Sequence, residues 1–340
     1  MTHPLPDGYT HRAATSEDAR LVAELWNDRS ETTHHERPET PESILRRWDH
    51  PKFDLATDSR LVFAPDGALI GYAHIRDVKD PPVDVFSGCG VHPEYDTAPW
   101  LWDDLLTWIE REARRVIDRA PTDARIVLLA GAPDEDRVKQ RELERRGLRH
   151  ERTFHRMVFD FADASVAAPD WPEGITVRTV VPGTDDEALV AVHRDAFAEH
   201  YGYLEQPFEV ELAELRHFLA ADDFDADLWF LAVSDDADIG EAAVVGFCSC
   251  CAEAPGDVKR GLIDVLGVRP AWRRRGIGRA LLLHAFGAFS RRGIRGAVLT
   301  VDTENRTGAP ALYERVGMRC HRAHLTYAKE LRPGINLVAE

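Results

Sequence analysis

Between Val268 and Leu282 the chain sets arginines and glycines at a spacing suited to holding an anion. An apolar run from Leu262 to Val268 reads as a buried strand, and an apolar-periodic helix is predicted from about Ile277 to Phe289. The turn joining them holds Arg273, Arg274, Arg275, Gly276, Ile277, Gly278 and Arg279. Glycine at 276 and 278 lets backbone approach an anion with no Cβ in the way. The N–H groups of the first helical turn then point at it, and the helix dipole favours negative charge there. The four arginines add positive charge. A basic capping turn on an ordinary helix is the alternative.

Spacing separates the candidate nucleotide ligands. A P-loop needs Lys-Ser or Lys-Thr after its last glycine, but Gly278 is followed by Arg279-Ala280. The dinucleotide fingerprint needs a third glycine, which is missing. What remains is Arg-x-x-Gly-x-Gly over 273–278, which resembles the pyrophosphate-binding motif of the GNAT superfamily of N-acetyltransferases. In that family the next strand ends in an Asn, a short helix carries a Tyr, and Gly-hydrophobic opens the last strands. Here Ala297–Val301 reads as the strand, and Asn305, Tyr313 and Gly317-Met318 come after it in that order. The resemblance spans about residues 174–332.

It implies acetyl-coenzyme A as co-substrate, no metal, and direct transfer to a primary amine without an acyl-enzyme. A bulge is expected to splay the strand at 262–268 from that at 297–301, so that Leu266 and Val268 offer backbone groups to the thioester arm. The Leu266 N–H would serve as oxyanion donor, and the Asn305 amide would bond the pantetheine arm; Asn305 also suits a plain turn. Tyr313 is the candidate general acid, since a phenol of pKa about 10 is protonated at pH 7. A core aromatic is its alternative. Asp264 is the candidate base, and ideal alternation places it on one face with Leu266 and Val268, a parity that the expected bulge would break. A structural Asp is equally open. Glu199, His200, Tyr201 and Tyr203 fall where the family's acceptor cleft lies, and His200 is a second base candidate.

The elements that must position these groups occur twice. Tyr9-Thr10-His11-Arg12 and a helix from Ser16 to Trp26 parallel Ile175-Thr176-Val177-Arg178 and a helix through Phe197. Ser87–Pro93 parallels Val265–Pro270, with helical runs Trp100–Ile117 and Ile277–Phe289 after them. Leu143–Leu148 parallels Tyr313–Met318, and each copy ends in an alternating strand, His150–Phe161 and His321–Leu331. We therefore expect two α/β (α+β) domains of one fold, residues 1–163 and 174–332, joined by the Ala/Pro/Asp-rich segment 162–174. Each should hold a mixed, mostly antiparallel sheet with helices on both faces. In the first copy Asp96, Pro99 and Leu101 fall on Arg273, Gly276 and Gly278, and Leu143 falls on Tyr313. Those changes predict a catalytically silent first domain. The layout is similar to tandem members of the mycothiol synthase type.

A chain of 340 residues with 44% hydrophobic and 30% charged content is globular and long enough for two domains. No run of 18 apolar residues suggests a membrane span, and Met1–Thr10 lacks signal-peptide character. Five cysteines are too few and too clustered for a disulfide framework, so a reduced, cytoplasmic protein is expected. A net charge of −17 disfavours a nucleic-acid partner. Cys248-Ser249-Cys250-Cys251 reads as small core residues in a strand from Ala243 to Cys251 rather than a zinc site, and His34-His35 as a solvated loop in the polar stretch 28–42. A small-molecule amine is the expected acceptor, and a monomer the expected state. Mycothiol synthesis, a protein lysine acceptor and a non-enzymatic coenzyme-A binder remain as alternatives; Tyr313 speaks against the last, because a pure binder needs no acid.

Overall fold

Apolar stripes at helical spacing and alternating strands sort the chain into two repeats of one element series. A computed structural model describes residues 5–162, 166–221, 224–235 and 243–339. Residues 1–4 of the amino-terminal stretch and 163–165 of the expected linker lie outside the described residues. The first half runs β1 (Thr10–Arg12), α1 (Ala19–His34), α2 (Pro41–Trp48), α3 (Leu55–Asp58), β2 (Ser59–Phe63), β3 (Leu69–Arg76), β4 (Asp84–Val91), α4 (Pro99–Ala113), β5 (Ile126–Pro133), α5 (Arg137–Arg145) and β6 (Arg149–Asp160). The second runs β7 (Ile175–Thr179), α6 (Asp186–Phe197), α7 (Phe208–Leu219), β8 (Trp229–Ser234), β9 (Val244–Cys251), β10 (Arg260–Val268), α8 (Ile277–Arg291), β11 (Gly296–Asp302), α9 (Ala309–Arg315) and β12 (Arg319–Arg332). None of the described helices is long and apolar enough to cross a membrane.

The chain divides into two compact units, and the division differs from the ranges 1–163 and 174–332 expected from sequence. The first unit is Met1–Phe154 with Arg322–Leu337; the second is His155–His321 with Val338–Glu340. The difference arises in the long alternating strands. Alternation shows that β6 and β12 are strands, but not which sheet receives them. Most of β12 joins the first unit, pairing antiparallel with β5 from His324–Pro133 to Arg332–Ile126. The end of β6 belongs to the second unit, beside β11.

The first unit's sheet has the order β1-β2-β3-β4-β5-β12, and the second's, from its other edge, β7-β8-β9-β10-β11-β6. In each, one central pair is parallel, β4 with β5 and β10 with β11. Helices cover both faces. In the first unit Leu101, Trp102, Leu105 and Ile109 of α4 fill one face, while Val22 and Leu25 of α1 and Ile44 and Trp48 of α2 fill the other. In the second, Leu281, Leu282, Phe286 and Phe289 of α8 form the larger core, and Leu189, Val192 and Leu219 of α6 and α7 the opposite one.

The repeat extends to ion pairs. Arg12 ties the first strand to Asp18 just ahead of α1 at 2.6 Å, and Arg178 does the same to Asp185 ahead of α6 at 2.6 Å. Helix α1 runs to His34, past the predicted end at Trp26, so His34 is helical and not part of a solvated loop. The polar residues of this extension are satisfied from within: Arg29 turns inward, and Thr32 Oγ1 donates to the Arg29 carbonyl at 2.8 Å. His34 Nδ1 lies 3.3 Å from Glu135.

Candidate active site

The second unit's sheet opens where the sequence places the chemistry. Strand β10 pairs with β11 only from Arg260–Gly296 to Leu262–Val298. On its other side β10 stays paired with β9, but the register shifts between Ile263 and Val265. Asp264 is the extra residue of that bulge. A bulge bends its strand and raises the local twist, so the bulged strand leaves its parallel neighbour at the next residue.

The bulge also changes the facing from that of an ideal strand. Val265 packs into the cluster under α6, whereas Leu266 and Val268 pack against the α8 core. One inserted residue breaks the alternation that put Asp264, Leu266 and Val268 on a single face. The Arg269 N–H donates to the Val245 carbonyl of β9. By antiparallel alternation the N–H groups of Val268 and Leu266 then point away from β9, into the gap.

At the end of the gap stands the start of α8. Gly276 is its N-cap residue with φ of 92°, and no side chain caps the helix. A Cβ at Gly276 would meet nothing nearer than Pro172 Cγ at 4.0 Å, so the backbone conformation, not crowding, requires the glycine there. Arg274 is also left-handed, at φ 61°. The first-turn N–H groups, including those of Ile277, Gly278 and Arg279, are left for an anion. Ile277 itself is buried in the α8 core.

The four arginines divide. Arg273 donates from Nε to the Val268 carbonyl at 3.2 Å and from Nη2 to the Ala196 carbonyl at 2.9 Å. It ties the turn to the end of α6. Arg275 lies over the Trp272 ring at 4.6 Å. Arg274 and Arg279 are exposed and have no ion-pair partner among the described residues.

Tyr313 sits in α9, buried against the α8 core and within electrostatic reach of Cys248. Cys248 is the β9 partner of Leu266, so Tyr313 is brought to the Leu266 side of the gap. Burial pushes its phenol far above the usual tyrosine value, with the Cys248 thiol adding to the effect. The group is a proton donor at neutral pH. Asp264 is reached by solvent, yet the protein around it holds its carboxyl above the usual aspartate range. Asn305 Oδ1 accepts from Thr307 N at 2.9 Å and Thr307 Oγ1 at 2.5 Å, which spends the oxygen on the turn and leaves Nδ2 as its free donor among the described residues.

Residues 189–318 match the model of the Acetyltransferase (GNAT) family. A mycothiol acetyltransferase of Salinispora arenicola is 32% identical over 270 residues, which cover 79% of this chain and 80% of that protein. The chain belongs to the GNAT acetyltransferase family. A mycothiol acetyltransferase of Streptomyces griseus is likewise 32% identical over 78% of each chain. The crystal structure of a GCN5-related N-acetyltransferase from Sphaerobacter thermophilus superposes with TM-score 0.81 at 34% identity, covering 98% of this chain and 99% of that one. A tandem GNAT protein from the clavulanic acid biosynthesis pathway shares the fold at TM-score 0.69 and 13% identity, over 96% of this chain and all of the other. The protein is thus an acyltransferase of GNAT type, built from tandem repeats.

On the α6 side of this GNAT unit, the expected acceptor region is an aromatic cluster. His200 packs on Phe197 at 5.4 Å, and its Nδ1 lies 3.1 Å from the Tyr201 carbonyl. Burial pushes the Tyr203 phenol up. Sequence reasoning missed His193. Its ring stacks on Phe197 at 4.9 Å and lies 6.1 Å from Phe247, whose strand partner is Gly267 beside Leu266. Burial holds this imidazole below the usual histidine value, hence neutral at pH 7. Its place in the stripe Leu189, Val192, His193, Ala196, Phe197 was the available signal. Cys248 and Cys250 point into the α8 core with sulfurs 3.6 Å apart.

The first unit differs at each of these points. Strand β4 pairs with β3 from Gly71–Val91 to Arg76–Phe86 with no bulge. Pro99 occupies the first turn of α4, Leu143 is fully buried in place of Tyr313, and Asp96 is ion-paired to Arg29 at 2.6 Å.

Proposed function

We propose that the second unit transfers acetyl from acetyl-coenzyme A to a primary amine of a small molecule, and that the first unit is catalytically silent. The observation that carries this reading is the gap that begins beyond Leu262 and Val298 and leads to the uncapped start of α8.

The residues fit the co-substrate. The amides of Ile277, Gly278 and Arg279, with the charges of Arg274, Arg275 and Arg279, would hold the pyrophosphate. Backbone of Leu266 and Val268 and the Nδ2 of Asn305 would hold the pantetheine arm. Acetyl-coenzyme A would supply the thioester carbonyl for a neutral amine, with the coenzyme A thiolate as leaving group. Leu266 N–H would stabilise the oxyanion, an interaction worth about 3 kcal/mol in other enzymes. The proton lost by nitrogen would go to Asp264 or His193, and Tyr313 would give one to the departing sulfur.

In the first unit, Asp96 puts a carboxylate where Arg273 stands in the second. Pro99 removes an amide from the helix start, and β4 has no bulge. A second reading of the acceptor, a cysteinyl amine of mycothiol synthesis, is favoured by the relatives named above.

Calorimetric titration of acetyl-coenzyme A into the wild type and into a Gly276→Glu, Gly278→Glu double variant tests the assignment. One site per chain, abolished in the variant, is expected. Two sites would restore the first unit to coenzyme binding, and no binding to the wild type would overturn the reading.

A further inference from the structure

The first unit carries its own unclaimed cluster of polar side chains. The β4–β5 ladder ends at Ser87–Ala130, and the next residues are Gly88 and Gly131. Both glycines are overlaid by imidazoles: a Cβ at Gly88 would collide with the His74 ring, and one at Gly131 with that of His324. His74 Nδ1 is buried with no hydrogen-bond partner. His324 is open to solvent, yet burial on its other sides pushes it down to about 4, and His74 is pushed to about 3. Imidazoles from β3 and β12 thus stand over the two glycines that follow the end of the ladder.

Two cations line the same place. Arg76 shares the β3 face of His74, its Nε is buried without a partner, and it has no ion pair among the described residues. Lys139 of α5 is 4% exposed, and its ammonium lies over the Trp26 ring at 5.3 Å, again with no carboxylate partner among the described residues. After burial itself, Arg47, Arg76 and Lys139 are what lowers the His74 imidazole. The nearby acids are engaged elsewhere: Asp136 and Asp96 by Arg29, Glu36 by Arg322, Glu39 by Arg47. Glu135 faces His34, and Asp134 is the one acid of these that also bears on His324, with its Oδ1 buried and unpartnered among the described residues.

A half-buried arginine and a buried lysine, each without an ion-pair partner, are costly. They are also unexpected in a chain with 59 acidic and 42 basic residues, where nearly any surface offers a carboxylate. We propose that the first unit binds a small anionic molecule, a carboxylate or a phosphate ester, in the gap beyond Ser87 and Ala130. Arg76 and Lys139 supply the counter-charge, and His74 and His324 donate or accept hydrogen bonds at its rim. Arg76 presents a planar fork matched to either oxyanion. The proposal does not depend on the acetyl-transfer reading of the second unit.

The test is calorimetry with inorganic phosphate and, separately, citrate. It uses the full chain carrying Gly276→Glu, so that the α8 turn contributes no anion site. One saturable site per chain is expected, weakened at least tenfold by Arg76→Gln and by Lys139→Met. Imidazole NMR should show His74 and His324 titrating at higher pH when the anion is bound. Preference for phosphate would point to a phosphate ester, and preference for citrate to a carboxylate. If Lys139→Met does not fold, Arg76→Gln decides alone, because its side chain is partly exposed. No saturable site for either anion, or a site indifferent to Arg76→Gln, overturns the proposal.

Discussion

Arg29 and Arg273 reach the same backbone position from opposite sides. Arg29 Nη1 donates to the Val91 carbonyl at the end of β4 at 3.2 Å, and Arg273 Nε donates to the Val268 carbonyl at the end of β10, also at 3.2 Å. Arg29 comes from the helix and meets Asp96 of the turn; Arg273 comes from the turn and meets Ala196 of the helix. Ala196 stands eleven residues after Asp185, as Arg29 does after Asp18 (196 − 185 = 29 − 18). The guanidinium is kept while its side of origin is exchanged. In the first unit the exchange leaves an acid in the turn.

Arg29 also holds the buried Asp136, from Nε at 2.7 Å. Replacing it by Met strands that carboxylate and should cost about 3–5 kcal/mol, the range for breaking a buried pair from one side. Asp136 is held below its unfolded value against the opposing effect of burial. Its contribution is therefore present above the unfolded pKa of about 4 and lost as pH falls through the folded value. Urea melts of wild type and variant at pH 7 and pH 3 check both points; a loss under about 1 kcal/mol at pH 7 would show the pair to be idle.

Arg273 should behave unlike its neighbours toward acetyl-coenzyme A. Arg274→Ala and Arg279→Ala remove free surface charge, so their effect should fade at 1 M salt, where screening acts within about 3 Å. Arg273→Ala loosens the turn itself, so its loss of affinity should persist. Titrations at low and high salt separate the two, and equal salt sensitivity would place Arg273 among the free charges.

Tyr313→Phe should lower kcat by about 10²–10⁴-fold, the contribution of a positioned acid, with KM little changed. The hydroxyl makes no hydrogen bond among the described residues, and the ring packing is retained, so Tm should hold. Unchanged turnover would return Tyr313 to the core.

Asp264 titrates above an ordinary aspartate because of burial. As a base it would set an acid limb of kcat/KM above pH about 4, and Asp264→Asn would remove that limb. For stability the sign is reversed from Asp136: a raised carboxyl favours folding at low pH, and the gain is lost as pH rises through the folded value. The Asn variant should therefore be the more stable protein at pH 7, and that advantage should vanish in acid. An acid limb that survives in Asp264→Asn passes the role to His193.

Motifs made by local spacing were legible in the sequence. The Arg-Gly turn, helix α8 and strand β11 stand where residue types and intervals put them, because turn geometry and helical period are local; Tyr313 stands in the short helix that the family resemblance implies. What spacing does not give is decided by one residue or one partner. A bulge within 262–268 is expected from the resemblance, but its position at Asp264, which breaks the ideal alternation from Val265 onward, is not legible. The inward turn of Arg29 keeps α1 going through polar residues that look like a loop. The use of Arg273 on carbonyls, and the burial of His193 among Phe197 and Phe247, depend on neighbours distant in sequence.

The chain passes between its units within strands β6 and β12 and again after Leu337, while the segment 162–174, the linker expected from sequence, lies inside the second unit. A cut in that segment would leave the carboxy-terminal fragment without β6 and the amino-terminal fragment without β12, each with an unpaired apolar edge prone to association. The two fragments should behave as a split protein, weak alone and restored on mixing. The same arrangement constrains descent. Deleting the first repeat would remove a strand from the second, so an ancestral duplicate, once it had traded strands, could drift in chemistry but could no longer be shed.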